Sequence, residues 1–343
     1  MILKTTDFDY FLPESLIAQT PIETRDHSKL MILDRTSGEI KHRHFFDLLD
    51  YLIEGDVMVF NDSRVIPARL YGKEDVRGHD VELLLLSQLQ KNVWRSLVKP
   101  GRRMRVGSKF VIGSEVVSIE GEVIEVENSG TRIVRLDGDE KINDIGVVPL
   151  PPYIKKRVED PERYQTVYSH KEGSVAAPTA GLHFTIDLLS KIREKGVKVV
   201  FVTLHVGWDS FRPIKTEDPD KHEMHSEFWE LSSESAVAIN KAKLDGRRVF
   251  SVGTTAVRLL ENAANLQKGS ILSAGSGWAD IFITPGYKFK IVDNLVTNFH
   301  LPKSTLLMLT SAISSRELIM RAYEEAVQNE YRFYSFGDAM LIL

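Results

Sequence analysis

Residues 197–208 read Val197-Lys198-Val199-Val200-Phe201-Val202-Thr203-Leu204-His205-Val206-Gly207-Trp208. The first eight are apolar on both faces, the pattern of a parallel strand buried between helices. Just upstream, Thr185 is placed to cap a helix running through Leu188, Leu189 and Ile192 to Lys195, with Gly196 as its stop. Downstream the unit repeats. A helix from about Glu234 to Leu244 stops at Gly246, the strand Val249-Phe250-Ser251-Val252 follows, and a helix over 255–264 comes next. Asp280-Ile281-Phe282-Ile283 reads as another strand. This alternation predicts a three-layer α/β domain.

Nearer the start, Lys29 to Ile53 reads as a hairpin turning at Thr36-Ser37-Gly38, then a short helix. Val57-Met58-Val59-Phe60 is a fully apolar strand that ends abruptly in Asn61-Asp62-Ser63-Arg64. From Ala68 to Val148 the signals are purely β. About six short runs rich in Val, Ile, Leu and Thr are broken by glycines at 72, 78, 101, 107, 113, 121, 130 and 138, which predicts a small antiparallel barrel. Pro149, Pro151 and Pro152 close it off, because proline cannot continue a ladder. The expectation is therefore a discontinuous α/β domain, 1–67 and 149–343, with a β-barrel inserted at 68–148.

Bulk properties bound the function without reaching it. The 343 residues suffice for two cores, and 43% hydrophobic with 27% charged residues is ordinary for a soluble globular chain. No window approaches the ~20 apolar residues that span a bilayer, and Met1 to Asp7 lacks the basic and apolar regions of a signal peptide. There is no cysteine, which excludes disulfides, thiolate catalysis and Cys-ligated metal, and a reducing cytosol is the expected compartment. A net charge of −4 does not decide for or against RNA, since phosphates are met by local patches. Two basic clusters, Lys99/Arg102/Arg103/Arg105 and Lys155/Lys156/Arg157, are either solvated loops or such patches.

In open α/β sheets ligands bind beyond the C-terminal ends of the strands. Asn61-Asp62-Ser63-Arg64 follows one strand and is either a turn or a site. His205-Val206-Gly207-Trp208 follows another, with a histidine fit for acid–base work and an indole fit for stacking, or a plain core pair. Gly253-Thr254-Thr255 opens a helix with Arg258 one turn in, either an anion site or an ordinary cap. Pro178-Thr179-Ala180-Gly181-Leu182-His183-Phe184 is a shaped loop entering a helix. His222-Glu223-Met224-His225-Ser226-Glu227 gathers imidazoles and carboxylates, but its histidines are three apart and no further ligand set accompanies them, so no metal is expected. The G-x-S-x-G elbow and the Walker A loop are absent, as is a G-x-G-x-x-G set between strand and helix.

Several stretches together resemble the family of S-adenosylmethionine:tRNA ribosyltransferase-isomerases of queuosine biosynthesis. These are NDSRVIPARL from Asn61, VPLPPYIKKR from Val148, ERYQTVYS from Glu162, VAAPTAGLHFT from Val175 and MHSE from Met224. GTTAVRLLE from Gly253, ADIFITPGY from Ala279, TNFHLPKSTLLMLTSA from Thr297 and YRFYSFGDAMLI from Tyr331 continue the match nearly to the end. One position departs: the family's H-V-G-x-G-T-F reads His205-Val206-Gly207-Trp208-Asp209-Ser210-Phe211 here. Asp209 replaces glycine, and aspartate is among the few residues that tolerate positive φ.

The resemblance implies transfer of the ribosyl part of S-adenosylmethionine to the aminomethyl group of 7-aminomethyl-7-deazaguanine at the tRNA wobble position. Isomerisation there gives epoxyqueuosine and releases adenine and methionine. S-adenosylmethionine is thus a consumed substrate and no cofactor is implied. The sulfonium acidifies the adjacent C5′ hydrogens, so a base must reach them, with His183 and His205 as candidates. Asp62, Glu227 or a second histidine would protonate the departing adenine. Gly253, Thr254, Thr255 and Arg258 would hold the methionine carboxylate, and Arg64, Thr179, Gly181, His225, Asp280 and His300 join the candidate substrate contacts. Lys155, Lys156 and Arg157, with Arg102 and Arg103, would face the tRNA. No membrane partner is expected, and the chain is read as a monomer. A conventional S-adenosylmethionine-dependent RNA methyltransferase and a non-catalytic tRNA-binding protein are the competing readings; adenine release separates them from the first.

Overall fold

The computed structural model describes residues 3–128, 130–156, 158–207, 214, 216–222, 224, 226–267 and 271–343. They fall into two compact units. One comprises Met1–Ser63, Pro152–Lys171 and Pro178–Leu343, and the other Arg64–Pro151 with Glu172–Ala177.

The chain opens with the hairpin β1 (Lys29–Leu33) and β2 (Ile40–His44), paired antiparallel across the predicted turn. Gly38 sits there at φ +73, a conformation open to glycine without steric cost. A 3₁₀ turn, Phe45–Tyr51, leads to β3 (Val57–Asn61), buried throughout. A short strand, β4 (Ser63–Val65), follows, and from Arg64 the chain belongs to the second unit.

That unit is a closed barrel of β5 (Arg69–Glu74), β6 (Asp80–Gln90), β7 (Val93–Lys99), β8 (Lys109–Gly113), β9 (Ser118–Val126) and β10 (Arg132–Asp137). The order around it is β10-β7-β6-β5-β8-β9, every pair antiparallel. Alternation fills its interior. Phe110 and Ile112 on β8 and Ile119 and Val123 on β9 are buried while their sequence neighbours face water. Gly121 is the inward residue between Ile119 and Val123, and a Cβ there would run into the Phe110 ring. Closure leaves no edge strand to recruit a foreign one. A one-turn helix, α1 (Ile142–Ile145), ends the segment, and β11 (Lys171–Ser174) pairs with β4.

The rest of the larger unit carries α2 (Ile186–Glu194), β12 (Lys198–Leu204), β13 (Glu227–Leu231), α3 (Ser233–Leu244), β14 (Val249–Val252) and α4 (Thr254–Leu266). β15 (Gly275–Ala279), β16 (Asn294–Asn298), α5 (Thr305–Ile313), α6 (Arg316–Gln328) and β17 (Ala339–Ile342) follow. Nine strands form one mixed sheet in the order β15-β13-β12-β3-β14-β16-β17-β1-β2. β3 is parallel to both neighbours, with Phe60 level with Phe201 and Val252. On one face Met58, Phe60, Phe250 and Val252 pack with Leu188, Leu189 and Ile192 of α2. Helices α3 and α4 pack against β12, β3 and β14, which completes three layers. The Thr185 hydroxyl accepts the Leu188 N–H at 3.1 Å, a cap that contributes about 1 kcal/mol. Gly196 and Gly246, at φ +82 and +64, end α2 and α3 as read from sequence.

One strand assignment fails. Asp280–Ile283 is not a strand; β15 lies one step earlier, at Gly275–Ala279, and pairs with β13. The glycines suit it because Trp229 lies beneath, its indole 3.4 Å from where a Gly277 Cβ would stand.

Candidate active site at the strand ends

Asn61 ends β3, where the ladder opens and backbone groups need other partners. Its Oδ1 accepts from the Leu204 N–H at 3.0 Å and the Ser63 N–H at 3.2 Å, while Nδ2 donates to the Leu204 carbonyl at 2.9 Å and the Thr255 hydroxyl at 3.3 Å. One amide therefore ties two strand ends to the first turn of α4. Asp62 follows and accepts the Thr203 hydroxyl at 2.7 Å. It lines a cleft of roughly 210 Å³ with Lys171, Thr203 and Glu230, the last two charges being paired at 2.6 Å. Burial raises the Asp62 carboxyl above its ordinary range, opposed by the Thr203 bond and the Lys171 charge.

His205 emerges from β12 half-buried, its backbone N–H on the Phe228 carbonyl and its ring stacked on that phenyl at 6.0 Å. Ser63 Oγ lies 2.8 Å from Nδ1. Among the described residues no partner meets Nε2. Burial, and next the Lys171 ammonium, lower the imidazole's pKa below its ordinary value, favouring the neutral ring. A neutral imidazole with one nitrogen oriented and the other open is the arrangement a general base needs.

His183 is placed differently. It is only 4% exposed, stacked on Phe45 at 4.9 Å, with Nδ1 at 2.7 Å from Ser28 Oγ and Nε2 at 3.1 Å from Asn298 Nδ2. The amide donates, so the proton of the neutral ring sits on Nδ1 and goes to Ser28. Burial pushes its pKa down to about 3. Both nitrogens are thus taken by side chains that fix the loop. Asn298 also accepts the Thr179 hydroxyl at 3.0 Å and donates to the Tyr334 carbonyl at 3.1 Å, so Thr179 belongs to the same network. Gly181 is packed too tightly for any side chain: a Cβ would overlap the Tyr168 hydroxyl and stand 2.8 Å from Thr166 Cγ2.

Gly253 bridges β14 and α4 at φ +87 and gives its own N–H to the Val296 carbonyl at 2.8 Å. It has no side chain to cap α4, whose first turn carries Thr254 and Thr255 beside Asn61. Thirteen residues of aligned peptide dipoles make that turn a fit for a carboxylate. Arg258 is not offered to such an anion alone: it is buried, ion-paired with buried Glu227, and donates to the Ala279 carbonyl at 3.2 Å. Glu227 in turn accepts the Gly207 N–H at 2.9 Å, bracing the loop just after His205.

The remaining candidates scatter. Arg64 lies in the barrel unit, as do the exposed Arg102 and Arg103, and Asp280 is exposed after β15. His300 is held by the Thr297 hydroxyl at 2.8 Å, and burial pushes its pKa down to about 3. Lys155 and Lys156 are exposed. Arg157, His225, Trp208 and Asp209 lie outside the described residues. Sequence reasoning named Ser63 only within a run read as turn or site, and passed over Ser28, Asn298, Lys171 and Glu230. Ser63 and Asn298 stand inside quoted family stretches, which was the available signal; the other three carry none.

Comparison with known proteins bears on this geometry. The model of a family described as queuosine biosynthesis protein matches residues 5–342. The chain belongs to that family. An S-adenosylmethionine:tRNA ribosyltransferase-isomerase of Staphylococcus haemolyticus is 53% identical, over 99% of this chain and 100% of its own. The enzyme of the same name from Staphylococcus saprophyticus is also 53% identical, over 98% of both chains. A crystal structure of S-adenosylmethionine tRNA ribosyltransferase from Thermotoga maritima superposes with a TM-score of 0.56 at 37% identity, covering 98% of this chain and 100% of the other. These names carry ribosyl transfer, not methyl transfer or binding alone. No helix among the described residues is long and apolar enough to cross a membrane.

Proposed function

We propose that the chain is an S-adenosylmethionine:tRNA ribosyltransferase-isomerase. It transfers the ribosyl moiety of S-adenosylmethionine to 7-aminomethyl-7-deazaguanine at the tRNA wobble position, isomerises it to epoxyqueuosine, and releases adenine and methionine. Full-length kinship supports the reaction, and the observation that carries the site is His205, held at Nδ1 by Ser63, without a partner at Nε2 among the described residues, and with its pKa lowered by burial. In this reading His205 removes the C5′ proton that the sulfonium acidifies, and His183 positions the loop instead of transferring protons. Asp62, whose carboxyl is raised by burial, protonates the departing adenine more readily than an exposed aspartate would. The first turn of α4 receives the methionine carboxylate. Arg102 and Arg103 of the barrel, with Lys155 and Lys156, neutralise tRNA phosphates. The enzyme acts as a cytosolic monomer and consumes S-adenosylmethionine without a cofactor.

The test is product analysis with tRNA bearing the aminomethyl base. Equimolar adenine and methionine, undiminished by EDTA, are expected. S-adenosylhomocysteine as product, or tight binding with no turnover, would sink the proposal.

A further inference from the structure

We propose that a shallow aromatic groove walled by Tyr10, Phe11, Pro302 and Tyr334 receives an unstacked base of the tRNA anticodon loop beside the wobble nucleotide. This inference rests on the ribosyl-transfer reading above.

The groove measures about 560 Å³ and lies wholly within the α/β unit. Phe11 is 83% exposed, an unusual state for a ring that would otherwise bury itself, and it packs into no core. Tyr10 and Tyr334, in contrast, are fixed platforms. Tyr10 donates its hydroxyl to the His300 carbonyl and meets Tyr323 edge-on at 5.2 Å. Tyr334 packs on Tyr153 at 4.7 Å and adopts φ +71, held by the Phe299 carbonyl at 3.1 Å and by the amides of Asn298 and Gly337. A free ring lining the same groove as fixed ones offers a surface on which a single-stranded base can stack, since every base has a π-face.

Charge and position fit the same occupant. Gln19 accepts the Lys155 N–H at 2.8 Å and donates to the Tyr153 carbonyl at 2.9 Å, which brings the exposed Lys155–Lys156 pair next to the aromatic wall. Lys155 meets Glu14 only at 3.7 Å with both side chains exposed, a pair that exchanges readily for phosphate. The carboxylate in the groove, Asp9, is neutralised by Lys303 at 2.7 Å. Asn298 connects Tyr334 directly to Thr179 and His183 of the 178–184 loop. Ala180 of the same loop lies 3.6 Å from where a Gly253 Cβ would stand, so the loop that braces the groove also abuts the first turn of α4.

The experiment is a fluorescence titration of the full chain with an anticodon stem-loop carrying 2-aminopurine at either nucleotide flanking the wobble base, with adenine release from modified tRNA followed in parallel. Wild type should quench one of the two probes. Phe11→Ala should lose the quench and bind roughly 5- to 100-fold more weakly, whereas Phe11→Trp should keep both, and the exposure of Phe11 should leave melting unchanged. Lys155→Glu with Lys156→Glu should lower the salt slope by about two. Phe11→Ala with wild-type affinity and quench overturns the inference. So does a wild-type dimer that Phe11→Ala dissolves, because the groove then belongs to a second copy. Quenching in a wild type that releases no adenine overturns the ribosyl-transfer reading instead and leaves the groove as a base-binding surface.

Discussion

Ser63 and His205 stand 142 residues apart in the chain, yet the serine hydroxyl lies 2.8 Å from Nδ1 of the imidazole. Two strand ends, β3 and β12, bring them together, and Asn61 locks those ends. The bond fixes the ring's orientation, and in the proposed reaction it decides which nitrogen faces the substrate.

His205→Ala should lower turnover by roughly 10²–10⁴-fold if the ring moves a proton. Ser63→Ala should cost less, since it removes the orienter and keeps the base. The base acts neutral and its pKa is lowered, so the acid limb of kcat/KM should lie below the ordinary histidine range. Steady-state rates across pH would check this, and a His205→Ala enzyme within a few-fold of wild type assigns the proton to another group.

His183 should reveal itself through stability. Its pKa is about 3 folded against about 6.5 unfolded, so the unfolded chain binds the extra proton. The stabilisation is complete above pH 6.5 and fades as pH falls toward 3. Urea unfolding at pH 7 and pH 4.5 should show wild type losing roughly 3 kcal/mol through this group. His183→Gln should be less stable at pH 7 but lack that part of the decline, while His300 continues to contribute its own. Parallel pH curves for the two proteins would contradict the assignment.

Gly181 offers a steric test. Alanine there overlaps the Tyr168 hydroxyl, which burial keeps protonated, so Gly181→Ala should disturb the loop and depress both melting temperature and turnover. Tyr168→Phe removes the offending oxygen and should restore part of both. Failure of the double variant to recover anything would place the strain on Thr166 or the backbone.

How far the sequence could be read follows from where each signal lies. The strand at 198–204 was visible because its pattern is local, as were the capping Thr185 and the stops at Gly196 and Gly246. The barrel showed through regular spacing of glycines and β-branched runs. Asp280–Ile283 misled because it is apolar and short; Gly275–Ala279 became the strand through pairing with β13 and room for Trp229, neither of which is local. β17 went unread inside a stretch recognised only as family sequence, and β16 lay mostly before the stretch that begins at Thr297. The same limit governs the site. His183 and His205 look alike as loop histidines. Only partners 155, 115 and 142 positions away, namely Ser28, Asn298 and Ser63, engage both nitrogens of one and, among the described residues, a single nitrogen of the other.

The placement of β17 has a consequence for the chain while it is being made. Ala339–Ile342 lies between β16 and β1, parallel to β1 and antiparallel to β16. The hairpin β1–β2 leaves the ribosome long before its sheet neighbour β17, which ends only at residue 342. For that whole interval Leu30, Met31, Ile32 and Leu33 lack their ladder partner on one side. Nascent chains stalled before residue 339 should therefore keep this hairpin sensitive to protease and attractive to chaperones, while the closed barrel, complete by residue 137, already resists both.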